Sequence, residues 1–330
     1  MSTDGGLILL YHRVVDLSFD PQCLCVSPER FKQHVDVLQA RCTTMPITQM
    51  LGAARVSDLP ERAVAITFDD GYADNLDHAA AILTECHMPA TVFVTLDTAP
   101  TPPELWWDGL ERVCFEKATL PTTLCLVVDG GVFRRDLSDD GGYDTQQNGT
   151  GWTVLSTDRD GPRQALYRSL FDVLKPMEEA IRRRWMEELF AWASIESEPR
   201  RTHRRLGREE ISRLGSDGLI EIGAHTVTHP VLSQLRIEQQ RAEIGDAKTR
   251  LEKVIGRPVT GFSYPYGTRR DYSAETVDLV RGAGFAYACS NFVGKVRAGG
   301  DPYQLPRVIV RDWDSDTFSR QLDEWWNLER

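Results

Sequence analysis

Apolar runs alternate with amphipathic stretches along most of this chain, and the two periodicities predict strands and helices in turn. Gly6 to Tyr11 is a short continuous apolar run of the buried-strand type. Ser27-Pro28 follows as an N-cap with proline at the first helical position, and Phe31, Val35 and Leu38 fall on one face of the helix it opens. Ala63 to Phe68 predicts a second strand, Asn75 to Cys86 a helix, and Ala90 to Thr95, rich in β-branched residues, a third strand. Farther on, Arg208 to Leu214 reads as a helix, Leu219 to Gly223 as a strand, and Ile237 to Ile255 as a long helix stopped by Gly256 and Pro258. Thr260 to Tyr264, Phe285 to Cys289 and Val308 to Val310 are strand-like, with a helix over Ala274 to Ala283.

Residues 98 to 207 break this rhythm. A Pro-rich turn leads to Glu104-Leu105-Trp106-Trp107-Asp108, then to strand-like Leu124 to Val128, a Gly-rich loop from Ser138 to Trp152, and two amphipathic helices. The second of these puts Ile181, Trp185, Leu189 and Trp192 on one face. The Arg-rich exit, Arg200 to Arg208, reads as a solvated surface segment or as an anion contact for a phosphorylated substrate. The remaining alternation implies an α/β fold of parallel strands wrapped by helices, either a distorted (β/α) barrel or an open doubly wound sheet. Polar residues favour the barrel: His12, Asp69 and Asp70, His225 and the Tyr264 to Gly267 turn all follow strands, and barrels gather their chemistry at those carboxyl ends. The expected organisation is a barrel from residues 1–97 and 208–330, with 98–207 an inserted α+β subdomain that shapes the substrate pocket.

At 330 residues the chain is long for one domain but within reach of a barrel carrying an insertion. The balance of 38 basic against 49 acidic residues, a net charge of -11, argues against a general nucleic-acid binder. Seven cysteines form an odd set without a paired framework, which points to a reducing compartment. The sequence starts without a secretion signal pattern and has no stretch approaching a membrane span, so a cytoplasmic protein without an integral membrane segment is expected. Asn148-Gly149-Thr150 matches a glycosylation sequon, which matters only on secretion.

The candidate chemistry sits in two motifs. Thr67-Phe68-Asp69-Asp70-Gly71-Tyr72 puts paired carboxylates after one strand, and His225-Thr226-Val227-Thr228-His229 puts two imidazoles after another. A divalent ion such as zinc is satisfied by two neutral imidazoles and one carboxylate with a position left for water, and Asp70, His225 and His229 supply that set. Residues four apart face the same side of a helix or strand, so both imidazoles can reach one ion. Asp69 and Asp70, as neighbours, point differently, one to the metal and one toward a bound water. Taken singly, the first motif is an ordinary Gly turn and the second a pair of loop histidines. Their shared placement at strand ends favours the metal.

These motifs, together with Phe262-Ser263-Tyr264-Pro265-Tyr266-Gly267, resemble the NodB-type polysaccharide deacetylases, carbohydrate esterase family four. The resemblance implies a distorted (β/α) barrel and metal-dependent removal of an acyl group from an amino sugar. It implies Asp69 as catalytic base, Asp70, His225 and His229 as metal ligands, and the backbone amide at Tyr266 as an oxyanion contact, with Tyr72 beside it as a further contact. Zinc is the first expectation, and the same ligands accept cobalt, nickel, manganese or iron. Two departures stand out. Ser263 occupies the place of the arginine that orients the base, and Arg307 is the candidate replacement; no histidine follows His229, so the general acid is assigned to His12 in Leu10-Tyr11-His12-Arg13-Val14, as in the subset with that element at the start of the domain. Trp106 and Trp107 read as a stacking surface for sugar or as core.

The expected substrate is an N-acetylated sugar in a cytoplasmic glycan precursor or glycosylated metabolite. A related amidohydrolase or deformylase acting on a non-polymeric amide, and a non-catalytic glycan-binding protein of the same fold, are the alternatives. Nothing in the sequence sets the oligomeric state.

Overall fold

The structure, a computed structural model, describes residues 5–96, 102–128, 130–138, 151–157 and 160–328. The sequon at Asn148 and most of the Gly-rich loop lie outside the described residues.

The main sheet contains eight strands: β1 (Leu7–Tyr11), β2 (Thr43–Thr44), β3 (Ala63–Phe68), β4 (Ala90–Val94), β5 (Ile220–Ala224), β6 (Gly261–Ser263), β7 (Tyr287–Cys289) and β8 (Val308–Ile309). Their order is β7-β6-β5-β4-β3-β1-β8, with β2 beside β3, and every pairing is parallel. The two edges meet through one irregular segment. Leu305 N–H donates to Ala288 O at 2.9 Å and Leu305 O accepts from Ser290 N–H at 2.8 Å, so the curled sheet is a distorted barrel drawn together without a full ladder.

Alternation within the strands decides what faces inward. Leu7, Leu9 and Tyr11, Val64, Ile66 and Phe68, and Val92 and Val94 belong to the large core. Ile8, Ala63, Ala65, Phe93, Tyr287 and Cys289 belong to a second, smaller core. Because both faces are buried, β1 and β3 read as continuous apolar runs rather than alternating ones. Glycine makes room inside: a side-chain carbon at Gly223 would collide with the Phe93 ring, and one at Gly261 with the Tyr287 phenol.

Element positions agree with the apolar pattern to within one to three residues at the edges of β5, β6 and β7. The expected helix over Asn75–Cys86 opens as a π-helical turn, Asn75–Ala79, before the α-helix Ala80–Glu85. The reason is tertiary: Asn75 Nδ2 donates to His12 O at 2.9 Å, and Asp74 holds Arg13 and the Val14 N–H, so the first turn is fixed from outside.

The chain divides into two compact units: Met1–Asp16 with Leu24–Pro102 and Arg205–Arg330, and Leu17–Cys23 with Pro103–Arg204. The second contains helices Trp106–Phe115, Pro162–Leu174 and Glu179–Ala193 and the antiparallel hairpin Thr123–Val128 with Gly131–Asp136. Its last helix buries Arg182, Trp185, Met186 and Leu189, a face rotated from the expected Ile181/Trp192 stripe, and Arg182 is paired with Glu179 one turn before it. The Arg-rich exit is not a solvated run: Arg200 binds Glu104 and Glu111, and Arg205 is buried in the first unit.

His34, on helix Pro28–Arg41, is buried with its Nδ1 3.3 Å from the Tyr11 hydroxyl and Nε2 2.8 Å from Trp313 O, its ring stacked on Phe318. Neutral imidazole fits both contacts, accepting at Nδ1 and donating at Nε2. Burial lowers its pKa from 6.5 to about 4. The unfolded chain therefore takes up this proton before the native state does, and stability present above pH 6.5 is lost as the pH falls toward 4. Chemical denaturation between pH 7 and pH 4 is expected to show a loss of about 3 kcal/mol more in the natural protein than in His34→Gln; equal losses would contradict this role.

Candidate metal centre

The site is built where β3, β5 and β6 end. Asp69 continues the β3 ladder through its N–H to Tyr11 O at 3.0 Å, and by alternation it shares the inward face of Ala63, Ala65 and Thr67. The chain then turns sharply, with φ 73° at Asp70 and 74° at Gly71. This turn is why adjacent carboxylates serve different places: Asp69 stays over the barrel interior while Asp70 swings to the histidines. Thr226, His229 and Tyr266 also carry positive φ (63°, 57° and 59°), an uncommon backbone state concentrated here.

Asp70 Oδ1 lies 3.4 Å from His225 Nε2 and 3.3 Å from His229 Nε2, and all three residues are buried. One donor atom from each falls within 4.8 Å of the others. His225 Nδ1 is 2.7 Å from Ser263 O, a contact that requires the ring to donate there and leaves Nε2 facing Asp70. Burial opposes the Asp70 carboxylate, yet hydrogen bonds to His225 and His229 hold it well below the usual range. Burial likewise disfavours charge on His225, and Asp69 and Asp70 outweigh it, raising the imidazole. Two imidazoles and a carboxylate, converging and buried, with His225 oriented from behind, fit a zinc-like divalent ion.

The loop between the histidines is stapled by a residue the sequence pattern did not single out. Glu243, on helix Ile237–Ile255, accepts from Val227 N–H at 2.8 Å and Thr228 N–H at 2.9 Å, and from the Thr228 hydroxyl at 2.7 Å. Thr226 Oγ1 accepts from His229 N–H at 3.0 Å. A half-buried glutamate on a long amphipathic helix has no distinguishing spacing, so only the fold reveals it.

Arg307 stands one residue before the Leu9–Val308 register pair, on the inward face beside Ile8. From inside the barrel it reaches up to Asp69 with two parallel bonds, NH1 to Oδ1 at 2.8 Å and NH2 to Oδ2 at 2.6 Å. Nε donates to Ser290 O at 2.8 Å, and NH2 also reaches Ser263 Oγ at 2.9 Å. Ser263 Oγ donates in turn to Asp69 Oδ2 at 3.1 Å. Ser263 thus links Asp69 to the histidine cluster, through its hydroxyl to Asp69 and its carbonyl to His225. Burial pushes the Asp69 pKa up, and Arg307 and His225 more than offset it, so the carboxyl lies below its usual value.

His12 follows β1 and is half-buried. Burial lowers its pKa, opposed by the fields of Asp70 and Asp69 and reinforced by Arg307 and Arg311. The Tyr266 ring packs edge-on to His229 at 4.7 Å, and its carbonyl accepts from Asn291 Nδ2 at 3.1 Å. Tyr72 is wholly buried, with the Arg13 guanidinium carbon 4.3 Å from its ring centroid. Trp107 belongs to the other unit, buried at 5% exposure against Trp106. Both serve packing.

Among comparisons with known proteins, the family described as polysaccharide deacetylase matches residues 57–113 and 153–288, more than half of the chain. Those segments carry Asp69, Asp70, His225, His229 and Tyr266, and leave out His12 and Arg307. A curated relative named "Putative polysaccharide deacetylase YxkH", of Bacillus subtilis (strain 168), is 29% identical over 105 residues, 32% of this chain and 36% of the relative. The chain therefore spans about a third of that relative's length. Streptococcus pyogenes deacetylase PplD in complex with acetate superposes with a TM-score of 0.58 at 15% identity, over 96% of this chain and 98% of that one. IcaB from Ammonifex degensii gives 0.58 at 18% identity over 98% of each chain. At such identities the likeness establishes the fold.

Removing one partner of the Arg307–Asp69 pair leaves the other charge buried. Arg307→Met is expected to cost about 3–5 kcal/mol in chemical denaturation, and adding Asp69→Asn to recover much of that loss. Additive costs would show that the two groups do not depend on each other.

Proposed function

The chain belongs to the polysaccharide deacetylase family, and on that premise we propose that it hydrolyses the N-acetyl group of an amino-sugar-containing substrate, with a divalent metal ion held by Asp70, His225 and His229. The observation that carries this reading is a buried carboxylate, Asp69, gripped by Arg307 at the edge of the ligand cluster, its Oδ2 4.0 Å from His225 Nε2. Asp69 is close enough to serve the same reacting water and is occupied by its own cation rather than by the ligand set.

When bound, the ion lowers the pKa of a water and polarises the amide oxygen. Asp69, kept ionised by Arg307, accepts the proton of the attacking water as the new C–O bond forms. The peptide N–H of Tyr266, on a turn that Asn291 braces, donates to the oxygen on which charge develops. His12 delivers a proton to the nitrogen as the C–N bond breaks, releasing acetate and a free amine. Arg307, Ser263 and Glu243 act by positioning, and Tyr72 and Trp107 have no substrate role in this scheme.

We place the substrate in the cytoplasm, as a nucleotide-linked, lipid-linked or small-molecule amino-sugar conjugate. The support is that all seven cysteines are free thiols. No helix among the described residues is long and apolar enough to cross a membrane.

Zinc-loaded protein is expected to release acetate from N-acetylhexosamine conjugates and to stop on chelation. Asp69→Asn should retain the metal and lose turnover by about 100-fold or more. Metal retained with turnover unchanged would remove Asp69 as the base, and activity restricted to insoluble chitin or peptidoglycan would contradict the cytoplasmic substrate.

A further inference from the structure

A second group of ligating side chains comes together inside the Pro103–Arg204 unit. Asp108 and Glu111 lie one turn apart on helix Trp106–Phe115, and so on one face. His203 ends the short 3₁₀ turn Arg201–His203. All three are buried, with exposures of 5%, 9% and 4%, and one donor atom from each lies within 4.8 Å of the others. We propose that Asp108, Glu111 and His203 form a second metal site, which takes a divalent cation, zinc first, and fastens the exit segment of this unit to its tryptophan-bearing helix.

Three features support it. His203 Nε2 stands 4.0 Å from Glu111 Oε2, beyond hydrogen-bond range but near the roughly 3–4 Å that separates two donors each about 2 Å from one zinc ion. His203 Nδ1 is engaged by Thr202 Oγ1 at 3.0 Å, so Nε2 is the nitrogen turned to the carboxylates, as at His225. The Glu111 carboxylate is oriented as well. Arg200 spends its guanidinium on Glu104, at 3.0 Å, and on Oε1 of Glu111, at 2.7 Å. One imidazole with two carboxylates suits zinc, manganese or iron. With Oε1 of Glu111 committed to Arg200, Oε2 is the oxygen directed to the ion.

This site is independent of the barrel cluster, and metal counting separates the two. Protein equilibrated with Zn²⁺, desalted and measured by inductively coupled plasma mass spectrometry is expected to hold about two ions per chain. The Asp70→Asn, His229→Gln variant, which loses the barrel site, should keep about one, and adding Glu111→Gln and His203→Gln should remove it. If that fourfold variant does not fold, the count in Asp70→Asn, His229→Gln decides alone. No ion retained there overturns the second site and leaves the barrel reading intact. An ion that survives Glu111→Gln and His203→Gln in that background overturns the assignment. A single ion in the natural protein that survives Asp70→Asn, His229→Gln and is lost with Glu111→Gln and His203→Gln upholds the second site while removing the barrel one.

Discussion

The interior of this barrel depends on a charge pair. Arg307 enters from the last strand, lies above Phe93 with its guanidinium carbon 5.8 Å from the ring centroid, and closes on Asp69 with two short bonds. Neither group is stable there alone, because moving an unpaired guanidinium or carboxylate out of water costs several kcal/mol. Together, and with Ser263, Ser290 and Thr67 taking up the remaining donors, they fill the top of the smaller core and present an ionised, immobilised carboxylate at its mouth. The site is therefore continuous with the packing of the barrel. An arginine is required because the supporting position lies deeper than the residue it supports, and only a long, forked side chain spans that depth while meeting both oxygens.

Around this pair the backbone departs from ordinary conformations. Asp70, Thr226, His229 and Tyr266 all sit at positive φ, and each is held by neighbours: the His225 and His229 imidazoles, the Glu243 carboxylate, the Thr226 hydroxyl and Asn291. Such residues persist only where the surroundings over-determine them, and the result is a set of side chains aimed before any ligand arrives. Glu243 shows how remote the restraint can be, since it acts from a helix that contributes no ligand.

Much of this arrangement was legible in the chain itself. Continuous apolar runs in β1, β3 and β4 signalled strands buried on both faces, and polar residues after them located the rim. The clustering of Asp70, His225 and His229 followed from residue type and position, and the pairing of Arg307 with Asp69 from the family resemblance, which left a gap at Ser263. What was not legible depends on contacts distant in sequence. The π-helical turn at Asn75 arises from its hold on His12. Tyr72, next to the paired carboxylates, packs against Arg13. The basic stretch at 200–208 looks solvated, but Arg200 is paired with Glu104 and Glu111, and Arg205 donates to the Thr95 carbonyl.

The central claim is that Asp70, His225 and His229 close on one divalent ion while Asp69 stays outside its coordination, bound to Arg307. The most direct measurement is an anomalous difference map from crystals of the zinc-loaded protein, recorded at the metal absorption edge. The account predicts a peak within bonding distance of Asp70 and both imidazoles, with the Asp69–Arg307 pair intact beside it. A map with no peak among these three side chains, or with Asp69 released from Arg307 and ligating the ion, would contradict it.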